Sequence, residues 1–146
     1  MKTYSAKPSD VVRKWYVVDA SENSLGRIST EIAKLLLGKE KVMYTHHIDT
    51  GDYVIVINAA KLKVTGKKMD QKMYYSHSGY AGALKEWTLK EQMDRDPTKV
   101  IYLSVRNMLP ANKLRPARLN RLKIYVDDQH NHEPQKPEKL SLKAVE

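Results

Sequence analysis

The sequence predicts an α/β fold in one domain, on three observations. Tyr53-Val-Ile-Val-Ile57 is an unbroken apolar run rich in β-branched residues. With no polar alternation, it reads as a strand covered on both faces, and it is too short and too β-branched for a buried helix segment. Leu25, Ile28, Ile32, Leu35 and Leu36 recur at the spacing of one helical face. Ahead of them, Trp15-Tyr-Val-Val18 reads as a first strand. Strand, helix and strand make a βαβ unit, expected to be right-handed, and a strand covered on both faces calls for helices above and below the sheet.

The remaining elements follow in order. Residues 1–13 are polar, include Pro8 and read as an extended arm. Asp19 to Ser24 is a turn, with Asn23 or Ser24 placed to cap the helix, and Gly38 stops it. Ala59 to Thr65 reads as a short helix or turn followed by strand, and Gly66-Lys-Lys68 as a basic turn. Lys72 to Ser76 reads as another strand, and His77 to Gly82 as a loop. Thr88-Leu-Lys-Glu91 has the spacing of a capping box, which opens a helix to about Arg95. Asp96-Pro97 caps the next helix, whose buried face carries Ile101, Val105, Met108 and Leu109, and Pro110 ends it. Pro116 opens a short basic helix on which Arg118 and Arg121 share a face. Leu122 to Val126 is a last strand. Residues 14–126 thus form the core of a single domain spanning 1–146, and the polar residues 127–146 form a tail.

Composition narrows the function. The chain has 26 Lys and Arg against 17 Asp and Glu, a formal charge of +9, and no Cys. The absence of Cys excludes disulfides, thiol nucleophiles and thiolate metal sites, and suits a reducing, cytoplasmic setting. The start, Met-Lys-Thr-Tyr-Ser-Ala-Lys, has no apolar run of a signal peptide, and no segment approaches the ~20 apolar residues of a membrane span. So basic a chain is expected to meet polyanions, nucleic acid first among them. The charge is patchy: residues 106–123 hold six cations and no acid.

Four groups of residues are candidates for RNA. One is the arm, with Lys2, Lys7, Arg13 and Lys14. The turn after the first helix offers Lys39 and Lys41, followed by His46 and His47. A third group is Lys67, Lys68 and Lys72, beside Tyr74, Tyr75, His77 and Tyr80. The last is Arg106, Lys113, Arg115, Arg118, Arg121 and Lys123. Cations neutralise phosphates, and flat side chains stack on unpaired bases. No helix-turn-helix for a DNA groove is evident. A dinucleotide site is disfavoured, because the first strand-to-helix turn carries Asp19 and Glu22 and only Gly26.

Two clusters raise a rival reading, a metal-dependent nucleic-acid enzyme: His46, His47, Asp49 and Asp52, then Asp127, Asp128, His130 and His132. Neither sits on a regular element that would hold ligands rigidly, so no metal or other cofactor is expected. Asp49 and Asp52, which would repel RNA, are expected to bond turn amides or neighbouring cations.

Several blocks occur in a telling order: Trp15-Tyr-Val-Val-Asp-Ala20, Leu25-Gly-Arg27, Gly38-Lys-Glu-Lys41, His47-Ile-Asp-Thr-Gly-Asp-Tyr53 running on to Ala59, Val64-Thr-Gly66, Tyr75-Ser-His-Ser-Gly79, Met108-Leu-Pro110, Leu122-Lys-Ile-Tyr125 and His130-Asn-His132. Over roughly residues 3–140 the chain resembles the bacterial form of large-subunit ribosomal protein thirteen. The resemblance implies a three-layer α/β/α fold with a four-stranded, mainly parallel sheet, an arm and a tail. It also implies a non-catalytic, structural role: a single copy in the ribosome that binds large-subunit ribosomal RNA, supports early assembly and touches neighbouring ribosomal proteins. Three positions depart from the family pattern. Asn107 stands where Gly is usual, His46 where Pro is common, and Ala83 within a usual Gly-Gly pair. Asn can hold a left-handed helix end, so that expectation concerns the turn before Pro110.

Overall fold

The computed structural model describes residues 4–141. Its main sheet has four parallel strands, β1 (Trp15–Asp19), β2 (Tyr53–Ile57), β5 (Leu122–Ile124) and β6 (Glu138–Lys139), in the order β5-β2-β1-β6. Trp15 pairs with Tyr53, Val54 with Leu122, and Tyr16 with Glu138. The helices are α1 (Leu25–Leu37), the single turn α2 (Lys68–Gln71), α3 (Leu89–Arg95), α4 (Pro97–Met108) and α5 (Arg115–Asn120). The remaining strands, β3 (Met73–His77) and β4 (Leu84–Thr88), form an antiparallel hairpin outside the main sheet.

Handedness distributes the layers. The steps β1 to β2 and β2 to β5 move the same way across the sheet, so right-handed crossovers place α1 and α4 on one face. There Val18, Val54, Val56 and Leu122 share a buried core with Ile28, Ile32 and Leu36 of α1 and with Val100, Ile101 and Val105 of α4. The step from β5 to β6 reverses direction, and its connection crosses the other face. Alternate strand residues point that way. Trp15 stacks on Tyr53 with ring centroids 4.2 Å apart, and His132 of the connection lies 5.1 Å from Trp15. Val17 and Ile55 are buried on this side, apart from the main core. The arrangement is the three-layer α/β/α fold, and the connection from β5 to β6 contains the 3-10 turn Glu133–Gln135.

One expectation needs correction. Residues 127–146 are not wholly a tail outside the fold, because Glu138 and Lys139 supply the fourth strand and the Leu140 amide donates to the Val17 carbonyl. An exposed edge strand is held by backbone bonds, so two charged residues suffice and leave no hydrophobic signal. The strand read at Lys72 to Ser76 is present as β3, and its partner is β4, a strand the sequence did not predict. That partner, Leu-Lys-Glu-Trp-Thr, is exposed over its first three residues and has no apolar alternation to reveal it.

The helix ends follow their local chemistry. Gly38 has φ 73° and closes α1 in the left-handed conformation. Pro110 holds Leu109 extended and stops α4 at Met108. Asn107 lies inside α4; among the described non-glycine residues only Asn58 and Lys136 have positive φ. The departure at 107 therefore needs no left-handed backbone. The capping box at α3 is complete: Thr88 Oγ1 accepts from the Glu91 amide at 3.3 Å, and the Glu91 carboxylate accepts from the Thr88 amide at 2.8 Å. Thr88→Ala is expected to lower the unfolding free energy by about 1 kcal/mol, read from a urea titration at unchanged m-value.

Candidate nucleic-acid interface

The turn entering β2 takes up four of the cations expected to face RNA. The Arg121 guanidinium forms a two-pronged pair with the Asp49 carboxylate, one contact being 2.7 Å, and also donates to the Leu36 and Asp52 carbonyls at 3.0 and 3.3 Å. Arg118 Nε lies 3.7 Å from Asp49 Oδ1, close enough for charge pairing and too long for a hydrogen bond. Arg13 donates to the Gly51 and Asp49 carbonyls at 2.7 and 3.2 Å. The Lys41 ammonium donates to Asp52 Oδ1 at 2.6 Å and to the Val12 and Thr50 carbonyls at 2.9 Å. These acceptors use all three of its donors.

Arg118 and Arg121 are therefore corrections. Arg118 on α5 and Arg121 at its C-cap both turn inward, leaving Arg118 1% and Arg121 6% exposed. The reason is Asp49: a carboxylate taken out of water needs a counter-charge with matching hydrogen bonds. Arg13 and Lys41, half-buried, are committed in the same way. For Asp49, burial disfavours the charged form, but the Arg121 hydrogen bonds and charge, the Gly51 amide and Arg13 outweigh it and hold its pKa below the ordinary value.

This geometry also disposes of the first His/Asp cluster as a ligand set. Asp49 and Asp52 turn to cations, His46 contacts the Tyr44 hydroxyl at 3.3 Å, and His47 contacts the Ser5 hydroxyl at 3.2 Å. In the second cluster His130 and His132 pack against Tyr125. Among the described residues no group of three or more His, Cys, Asp or Glu is placed to hold a metal ion.

Two clefts carry the remaining basic character. The first, of about 700 Å³, lies where the start of α1 meets α2 and the end of α4. Arg27, Lys68 and Lys72 line it, over an apolar floor that includes Leu25, Val64 and Met108. The first turn of α1 holds no acid, so the positive end of the helix adds to these charges. Three blocks far apart in sequence, around Leu25-Gly-Arg27, Val64-Thr65 and Met108, converge here. Lys72 Nζ also sits 5.4 Å from the centre of the Tyr74 ring. The second cleft, between α4 and α5, is lined by Tyr102, Arg106, Asn112 and Arg115. Arg106 is exposed there, whereas Arg115 donates to the Leu109 and Pro110 carbonyls at 3.1 Å and braces the loop.

The other candidates are dispersed. Lys7, Lys14, Lys39, Lys67 and Lys113 are exposed, and Lys123 is half-buried on β5. Tyr75 and His77 stand exposed on the hairpin, where His77 Nδ1 accepts from the Gly79 amide at 2.9 Å. Lys2 lies outside the described residues. The sequence reading missed Arg27 and Tyr102. Arg27 had a signal, a cation in a helical first turn without acids; Tyr102, on a helix otherwise read for its buried face, had none.

Comparisons with known proteins place the chain beside one family. The family model described as "Ribosomal protein L13" matches residues 13–131. The chain is 57% identical over 143 residues to "Large ribosomal subunit protein uL13" of Lachnoclostridium phytofermentans, covering 98% of this chain and 99% of the relative. It is 54% identical to the protein of that name from Thermotoga petrophila, over 97% of this chain and 95% of the relative. The Aquifex aeolicus protein is likewise 54% identical, over 99% of this chain and all of the relative.

Proposed function

Because the chain belongs to the ribosomal protein L13 family, we propose that it binds large-subunit ribosomal RNA and supports early assembly of that subunit. It is a structural protein of the large ribosomal subunit and not an enzyme. The observation that carries the finer reading is the first basic cleft. Its cations suit phosphates, while Val64, Met108 and Leu25 offer an apolar surface to an unstacked base. Exposed Arg106 beside Tyr102 and the hairpin's Tyr75 and His77 extend the same chemistry. The rigid sheet and the Asp49 turn hold these surfaces in register. The protein works as a single copy in the cytoplasmic ribosome, beside other proteins of the subunit. No helix among the described residues is long and apolar enough to cross a membrane.

Binding to large-subunit ribosomal RNA fragments, measured across a salt series, tests this. Affinity falls steeply as salt rises. Lys68→Ala and Lys72→Ala each weaken binding across sequences and lower the salt slope by up to about one. Affinity indifferent to salt, or unchanged in the double variant, would refute the cleft as the RNA surface. The assembly role is read separately. Cells depleted of the chain accumulate incomplete large-subunit particles, and normal particle profiles on depletion would remove it.

A further inference from the structure

One surface of this basic chain is acidic and apolar, and nothing above uses it. The arm folds back against the turn after α1, tied by the bond from Lys41 Nζ to the Val12 carbonyl at 2.9 Å. Between them lies a cleft of about 650 Å³ lined by Tyr4, Asp10, Val12, Glu40, Val42 and Met43, with Lys41 at its base. Tyr4 is 60%, Val12 75% and Val42 fully exposed, so three large apolar side chains stand in water around one depression. Clustered apolar exposure of this kind marks a binding surface more often than scattered residues do.

The charges select the occupant. Asp10 and Glu40 are exposed on the lining. Lys41, the one cation on the lining among the described residues, has its three donors engaged by Asp52, Thr50 and Val12. Neither Lys7 nor Lys39 lines the cleft. Among the described residues its local balance is therefore negative, in a chain of +9. Among the described residues a phosphate backbone would meet two carboxylates and no available cation. We infer that this cleft docks a basic segment of a neighbouring large-subunit protein, which places one apolar side chain against Val12, Val42 and Met43 and sets Lys or Arg against Asp10 and Glu40. The inference rests on the ribosomal reading above and assigns one surface to protein where the others are assigned to RNA.

The test uses the full chain carrying the photocrosslinker p-benzoyl-phenylalanine in place of Val42, whose side chain is fully exposed. Large subunits are isolated from cells expressing it, irradiated, and the adducts sequenced by mass spectrometry. The expected adduct is a Lys- and Arg-rich peptide of another subunit protein. Adding Asp10→Lys and Glu40→Lys lowers its yield about tenfold or more. Crosslinks only to RNA, to a second copy or within the chain would overturn the inference. So would a lack of adduct in subunits that contain the chain, or a yield indifferent to charge reversal. If the chain never co-sediments with large subunits, the ribosomal reading itself fails and takes this inference with it.

Discussion

Arg121→Met lowers the unfolding free energy by about 3–5 kcal/mol, the cost of stripping one partner from a buried ion pair. The side chain ties together the end of α1, through the Leu36 carbonyl, and the turn into β2, through Asp49 and the Asp52 carbonyl. Its loss leaves the Asp49 carboxylate with Arg118 at 3.7 Å and the Gly51 amide at 3.3 Å, neither of which replaces a two-pronged guanidinium. Arg121→Lys recovers only part of the loss, because an ammonium cannot serve all these acceptors in one geometry. Urea titrations of Arg121→Met, Asp49→Asn and the double variant check the mechanism. The double variant costs less than the sum of the singles, since the unpaired charge is then absent; strict additivity would mean the pair is not coupled. Acid titration gives a second readout. The folded-state pKa of Asp49 is depressed. Its contribution is thus fully present above the unfolded carboxylate value of about 3.9 and is lost as pH falls through the lower folded value. Below about pH 4, wild type loses stability more steeply than Asp49→Asn does.

Gly51→Ala is expected to be comparably damaging for a different reason. Gly51 is pressed against the last turn of α1, and an added Cβ would lie 1.8 Å from the Leu36 carbonyl oxygen and 2.8 Å from Arg121 Nη2. The obstacle is backbone, so no rotamer change relieves it; α1 and β2 must separate. An expected cost of about 3 kcal/mol, at the upper end for overpacking, corresponds to a melting temperature lower by roughly 10 °C. Thermal unfolding measures it, with Gly26→Ala as the control, since a Cβ there meets nothing within 4 Å. Equal melting temperatures for the two variants would contradict the close approach. Both Gly51→Ala and Arg121→Met act on folding. Their residual folded fractions should keep the salt slope of RNA binding, which separates this turn from the cleft cations.

Local chemistry made much of the fold legible. The β-branched run of β2, the apolar stripe of α1, Gly38, the Thr88 box and the proline at 110 each act within a few residues, so their meaning survives without tertiary context. The hairpin's pairing and β6 were not legible. Those strands are exposed and take their place from backbone bonds to β4 and β1, which side-chain patterns do not record. The candidate site was harder still. Counting cations located the basic stretches, and of those residues Lys68, Lys72 and Arg106 line clefts. Arg118 and Arg121 belong to the interior, half-buried Arg13 and Lys41 are bonded to the turn into β2, and Arg27 joins a cleft only because α1 begins beside α2.

By itself the sequence determined the fold class, the family and the excess of positive charge. It also showed that Asp49 and Asp52 are unsuited to meet phosphate. Only the tertiary structure decided which cations answer those two carboxylates and which stay in solvent. Asp49 and Arg121 are 72 residues apart. A guanidinium reads the same in a sequence whether it faces water or a buried acid, and the desolvated charge across from it settles which.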